Sequence, residues 1–278
     1  MIEGLDYSVW KKDNKSILED FSHKKVLVTY SGGKDSSVIL HFLQKAAEDF
    51  GFQFEVHAVL FPHHVLTKME VSKLDGYWNK RGVDIKWHNV SVPDEQLEQA
   101  LRGGVNPCLI CKQSKKKEIL NNFIQSNPQW ENLVVIMSYS LWDLVSATVE
   151  QLLGAVYCNS EHTDLSQKDN SEERFLETFQ RFYPLLKLKN GLTIFKPLIR
   201  YNDQEINDVV SRNEIPLADK PCRYKAYRPK RLFAEYYDAN NLRFEFEKVL
   251  DFARKTFSFP EISQFEDIEM EAYVIKML

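Results

Sequence analysis

Apolar and polar residues follow one another in blocks along this chain, and the block lengths point to its elements. "KKVLVTY" (24–30) is a short continuous apolar run, which reads as a buried strand. "SSVILHFLQKAAEDF" (36–50) repeats its apolar positions at helical spacing. The alternation continues with "FQFEVHAVLF" (52–61) as a second strand, "TKMEVSKLDGYWNKRG" (67–82) as a helix and "VDIKWHNVSV" (83–92) as a third strand. "LVVIMSYS" (133–140) supplies a fourth strand and leads into the helical "LWDLVSATVEQLL" (141–153), and "LTIFKPL" (192–198) supplies a fifth. After it, Asn202 and Glu205 have the spacing of a capping box at a helix start. Strands alternating with helices predict an α/β fold with a doubly wound parallel sheet, whose ligands bind at the carboxyl ends of the strands.

Two stretches leave that rhythm. "CNSEHTDLSQKDNSEER" (158–174) is polar and reads as a surface excursion. From 202 onward the pattern is helical. The expected organisation is therefore a helical lead-in over 1–22, an α/β nucleotide-binding domain over 23–201, and a helical C-terminal extension over 202–278 that carries Cys222. No internal repeat is evident.

Composition narrows the class. With 44% hydrophobic and 27% charged residues in 278, the chain reads as a globular protein able to bury a sizeable core. A net charge of −4 argues against a generally basic nucleic-acid binder but leaves room for a local basic patch. No apolar run resembles a signal peptide or reaches the length of a bilayer span, so a cytoplasmic location and no membrane partner are expected. Structural disulfides are not expected there, and the four cysteines need another explanation.

The turn after the first strand carries the strongest chemical signal. "SGGKDS" (31–36) puts two glycines, a lysine and hydroxyls between strand and helix. Glycines let the main chain approach a ligand, and amides at a helix start carry partial positive charge, so the turn suits an anion. It lacks the G-x-x-x-x-G-K-[ST] spacing of a Walker A loop. An ordinary tight turn is the bland alternative.

"SGGKDS" resembles the PP-loop signature of the ATP pyrophosphatase family. That resemblance implies ATP with its β- and γ-phosphates in the loop, cleavage between α and β, and an acceptor oxygen activated as an adenylate. Gly32 and Gly33 would then offer amides, Lys34 would neutralise the phosphates, Ser31 and Ser36 would donate hydroxyls, and Asp35 would help hold Mg²⁺. The motif indicates ATP but not the nucleophile.

Cys108 and Cys111 lie in "PCLIC" at the head of the helical run "CLICKQSKKKEILNNF", three residues apart and so on one face. Cys222 follows a proline in "DKPCRYKAYRPKRLF". By themselves these cysteines are compatible with zinc, with redox chemistry including a Cys108–Cys111 disulfide, with a cluster, or with small buried hydrophobes. A histidine such as His63 or His64 would complete a zinc site. Cys158 has no motif around it and reads as structural.

A PP-loop, then P-C-x-x-C, then a lone P-C is similar to tRNA 2-thiocytidine synthetase and its thiouridine-forming relatives. The likeness runs from about Lys24 to Phe233 and includes "KPLIRYNDQEI" and "IPLADKPC". It implies that Cys108, Cys111 and Cys222 hold a 4Fe-4S cluster with one iron open, which supplies the sulfur that replaces the activated oxygen. The chain departs from those relatives at "SYSLWD", where Tyr139 stands in place of histidine and Asp143 is the sole carboxylate. Asp143 is nevertheless a candidate for Mg²⁺ or for orienting the acceptor.

Charge adds a substrate expectation. Lys112, Lys115, Lys116 and Lys117 follow the C-x-x-C, and Arg223, Lys225, Arg228, Lys230 and Arg231 follow Cys222. If the two cysteine segments meet, these bases converge, and Tyr224 and Tyr227 offer surfaces for stacking an unpaired base. A solvated helix face is the plainer account of the lysine run. The expectation is an ATP-dependent sulfur transferase acting on tRNA or another RNA, with a sulfur-donor protein or sulfide as partner and the choice between monomer and homodimer open. Lys115, Lys116, Arg223, Lys225 and Arg228 are its candidate substrate contacts. A sulfur or amine transferase acting on a small molecule or DNA, and a non-catalytic nucleotide or redox sensor, are the competing expectations.

Overall fold

The computed structural model describes residues 4–60, 66–90, 94–119, 121, 125, 129–157, 175–218, 222–227 and 229–277. Among these, six strands form one sheet in the order β3-β2-β1-β4-β6-β5. The strands are β1 (Lys25–Tyr30), β2 (Phe54–Leu60), β3 (Ile85–Asn89), β4 (Leu133–Ile136), β5 (Leu185–Lys187) and β6 (Thr193–Phe195). All pairings are parallel except that of β5 with β6. The five strands expected from apolar runs are present, each shorter than its run. β5 was not expected. It is three residues long, too short to show a period, and it pairs antiparallel at the sheet edge.

The described helices are α1 (Tyr7–Leu18), α2 (Lys34–Phe50), α3 (Lys68–Asn79), α4 (Asp94–Arg102), α5 (Pro107–Glu118), α6 (Leu141–Tyr157), α7 (Asp203–Arg212), α8 (Pro229–Ala239), α9 (Phe246–Thr256), α10 (Ile262–Glu266) and α11 (Met270–Met277). The capping box anticipated at Asn202 and Glu205 is formed, with the Asn202 amide donating to Glu205 Oε2 at 2.9 Å. Helix α5 begins where its proline takes the first turn and the Asn106 side chain accepts from the Cys108 amide at 2.9 Å.

Side chains alternate across the sheet and build two cores. One face carries Val26, Val28, Val56, Ala58, Val134 and Ile136 beneath α1, α2, α3 and α7, with Trp10 fully buried and its indole donating to the Pro197 carbonyl at 3.1 Å. The other face carries Leu27, Val135 and Ile194 beneath α6 and the C-terminal helices, which contribute Tyr237, Phe246, Phe265 and Tyr273. The polar excursion expected over 158–174 lies outside the described residues. No described helix is long and apolar enough to cross a membrane.

Lys196, just after β6, is buried without exposure and donates to the Gln180 and Tyr183 carbonyls at 2.8 and 2.9 Å. Burial, with Arg181 adding to it, pushes its pKa far below the ordinary lysine value. It joins β6 to the 3-10 turn Gln180–Phe182.

Two buried imidazoles set the acid edge of stability. Burial lowers His41 to about 4, with Lys45 and Arg81 adding to the shift and Asn213 opposing it. Burial also lowers His57 to about 4, with His88 and Lys86 adding and Glu55 opposing. A histidine depressed on folding stabilises fully above its unfolded pKa of about 6.5, and that stability is lost as pH falls through the folded value. Shifts of this size correspond to at most about 3 kcal/mol per ring. Asp35, raised on folding to about 6, acts in the opposite sense from about pH 6 downward and offsets part of the loss. The urea midpoint should therefore fall between pH 6.5 and 4, less steeply in His57→Gln; a midpoint flat over that range would contradict it.

Candidate functional site

Strand order reverses between β1 and β4, and the crevice outside their carboxyl ends is where ligands of such sheets bind. "SGGKDS" leaves β1 at that point and "SYSLWD" leaves β4. Gly32 has φ +73°, and a Cβ there would lie 3.2 Å from both Ala218 Cβ and Leu74 Cδ1. Glycine is thus required by conformation and by space. Gly33 caps α2 without a side chain, leaving the helix start open toward the crevice.

The two serines hold the loop closed. Ser31 and Ser36 hydroxyls lie 3.1 Å apart, the Ser31 amide donates to Ser36 Oγ at 3.2 Å, and Ser36 Oγ donates to the Gly33 carbonyl at 3.1 Å. Lys34 Nζ is paired with Asp35 at 2.7 Å and with Asp203, on the first turn of α7, at 2.8 Å. Ser140 Oγ donates to the other Asp203 oxygen at 2.7 Å, and the Ser140 amide donates to Asp143 at 3.2 Å. Burial pushes Asp35 up to about 6; Lys34 pulls against it, while Asp203 and Asp143 add to the rise. Burial opposes the charge on Lys34, but Asp35 and Asp203 outweigh it and hold Lys34 above the ordinary lysine value. Asp203 was not anticipated as a site residue. Its sequence signal is only that of an acidic first turn beside a capping box.

The cysteine segments do meet. Cys108 Sγ donates to the Tyr224 carbonyl at 3.6 Å, and the Tyr224 amide donates to Cys222 Sγ at 3.4 Å. Asn106 Nδ2 also donates to the Tyr227 carbonyl at 2.8 Å, docking the head of α5 onto this segment. Cys111 lies one turn along α5 from Cys108, and Cys108, Cys111 and Cys222 are half-buried and in no disulfide. Ala218, four residues before Cys222, meets the ATP loop, its amide donating to the Gly32 carbonyl at 2.9 Å. Cys158, His63 and His64 lie outside the described residues.

Three thiols drawn from two segments suit an iron–sulfur cluster in kind, since Cys is its usual ligand. Among the described residues, no group of three or more His, Cys, Asp or Glu side chains is gathered tightly enough to hold a metal ion. That holds for Asp35, Asp143 and Asp203 as for the three cysteines.

The basic residues are partly neutralised. Lys112 pairs with Glu177, which also holds Arg181 at 3.2 Å, and Arg223 pairs with Glu98 at 3.1 Å. Lys115 and Lys116 lie on α5 beyond Cys111, and Lys225 opens the 3-10 turn Lys225–Tyr227. Arg228 lies outside the described residues. Tyr224 is not the stacking surface expected of it: the residue is 6% exposed, Arg223 lies over its ring at 4.9 Å, and its hydroxyl accepts from Arg223 at 2.7 Å. Tyr227, 42% exposed, keeps that role open, with Val105 and Leu109 also exposed around the cysteines.

A family model described as "Queuosine biosynthesis protein QueC" matches residues 25–230, spanning the ATP loop and Cys108, Cys111 and Cys222. The chain belongs to the QueC family. With it comes membership of the PP-loop ATP pyrophosphatases, and so an ATP-using enzyme class, as the loop indicated. A search of curated proteins returned no match for this QueC-family chain. Among solved structures, it is similar to the U34-tRNA thiolase NcsA from Methanococcus maripaludis with its 4Fe-4S cluster, at a TM-score of 0.60 and 15% identity over 92% of this chain and 81% of that one. At that identity the likeness bears on the fold alone. NMN synthetase from Francisella tularensis aligns at a TM-score of 0.44 and 11% identity, over 98% of this chain and 93% of that one.

Proposed function

We propose that this QueC-family chain is an ATP-dependent sulfur transferase that adenylates a nucleobase carbonyl in tRNA and replaces its oxygen with sulfur. The observation that carries the reading is the meeting of Cys108 and Cys222 on the main chain of Tyr224, with Ala218, four residues before Cys222, hydrogen-bonded to the ATP loop. The reading takes the phosphate site and the sulfur site as neighbours. The cluster-bearing thiolase among the fold's relatives supports the same reading.

The residues divide the work. Gly32, Gly33, Ser31 and Ser36 shape the phosphate cradle, and Lys34 neutralises charge as pyrophosphate leaves. Asp35 and Asp143 would share Mg²⁺ with the phosphates. Cys108, Cys111 and Cys222 would hold the 4Fe-4S cluster, which supplies sulfur when bound. The Tyr224 amide, donating to Cys222 Sγ, would tune that thiolate by hydrogen bonding. Lys115, Lys116, Lys225 and Arg228 would meet the RNA backbone. A sulfur-donor protein or sulfide reloads the site.

A second reading, a transferase acting on a small molecule, has observations of its own. The matching family is named for queuosine biosynthesis, and Glu98 and Glu177 neutralise part of the basic mouth. Titrating labelled tRNA at several salt concentrations separates the two. The RNA reading predicts binding that weakens steeply with salt, and Lys116→Ala with Arg228→Ala should flatten log affinity against log salt by up to roughly 1–2 units. Failure of wild type to bind tRNA even at low salt would discard RNA in favour of the small molecule.

A further inference from the structure

Lys34 is held from outside its own loop. Its ammonium reaches Asp203 at 2.8 Å, and the other Asp203 oxygen accepts from Ser140 Oγ at 2.7 Å. Both oxygens of one carboxylate are thus engaged, and together they join the turn after β1, the turn after β4 and the first turn of α7. Asp203 is itself anchored, since the capping box at Asn202 and Glu205 fixes the start of its helix. The side chains of Lys34 and Asp203 are 23% and 13% exposed, so the pair is shielded from water more than a surface ion pair is.

We infer that Asp203 is a positioning residue that orients the Lys34 ammonium for the β- and γ-phosphates of ATP. The inference rests on the reading of "SGGKDS" as the phosphate loop. An ammonium has three N–H groups. Asp203 and Asp35 take two in the ligand-free site, and a phosphate oxygen takes over the third or replaces Asp35, while Asp203 keeps the nitrogen in place. Lys34 has four rotatable carbons, and without this tether its charge would spread over many rotamers or settle on Asp35.

The sign of the effect separates positioning from plain electrostatics. Removing a carboxylate beside a polyanion, with nothing else changed, strengthens binding of the polyanion. Loss of a tether weakens it. Asp203→Asn keeps an oxygen for Ser140 and loses the ion pair with Lys34. We expect it to weaken ATP·Mg²⁺ roughly tenfold, as loss of a charge-assisted contact would, and to leave AMP affinity unchanged, because AMP has no β- or γ-phosphate. In a Lys34→Ala background the same substitution should cause no loss of ATP affinity and leave it equal or tighter, since the tether is already gone and only repulsion between Asp203 and the phosphates remains to be relieved.

The test is calorimetric titration of ATP·Mg²⁺ and AMP into wild type, Asp203→Asn, Lys34→Ala and the double variant. Tighter ATP binding in Asp203→Asn, equal loss of ATP and AMP, or a loss that persists without Lys34 would each overturn the inference. If wild type shows no preference for ATP over AMP and Lys34→Ala matches it, the phosphate-loop reading falls first and takes the inference with it. Should Asp203→Asn fail to fold, Ser140→Ala frees one Asp203 oxygen and keeps its charge. A few-fold weakening of ATP alone supports positioning in that variant, and unchanged ATP affinity overturns it.

Discussion

Replacing Lys34 with Ala should weaken ATP binding by about 1.5–3 kcal/mol, the range of a charge-assisted hydrogen bond to phosphate. That is roughly a ten- to hundredfold rise in Kd. The substitution does more than delete a contact. It leaves Asp35 and Asp203 facing the phosphates with no cation between them, in a crevice where burial has already raised Asp35 to about 6. The loss should accordingly fall at the upper end of the range, and pyrophosphate release should fall with it. AMP affinity should hold. Unchanged ATP affinity and unchanged pyrophosphate release would mean that "SGGKDS" is only a turn.

The second large effect concerns metal. Anaerobically prepared protein should carry iron and sulfide with broad visible absorbance, and Cys108→Ala, Cys111→Ala or Cys222→Ala should each remove it completely. A cluster with three protein thiolates has no spare ligand, so losing any one is all-or-none rather than graded. Cys158→Ala should retain full iron content, because no motif surrounds that residue. Stoichiometric zinc without iron, or a Cys222 variant that keeps its cluster, would contradict the assignment.

What could be read from the sequence was local. The start of α2 at the loop, the capping box at Asn202 and Glu205, and the run of apolar strands depend on neighbours within a few positions, and each is present. Three features were hidden for one physical reason: they arise from contacts between segments far apart in the chain. Asp203 looks like a helix-start acid until α7 packs against α2 and presents it to Lys34. Tyr224 looks like an exposed aromatic among bases until its main chain docks on Cys108 and Arg223 covers its ring. Glu98 and Glu177 carry no signal as partners of Arg223 and Lys112, so the sequence overstates the free positive charge near the cysteines. Convergence of the cysteine segments was expected through a family likeness, and the contact that brings Cys108 to Tyr224 spans 116 positions of chain.

The most direct test joins both halves of the site in one reaction. Iron-loaded protein is incubated anaerobically with ATP, Mg²⁺, sulfide and tRNA, and the tRNA is then digested and its nucleosides analysed by mass spectrometry. The account predicts one thiolated nucleoside formed in equal amount with AMP, both lost in Lys34→Ala and the thiolation lost in Cys222→Ala. Conversion of ATP to AMP and pyrophosphate while every tRNA nucleoside stays unchanged would contradict it.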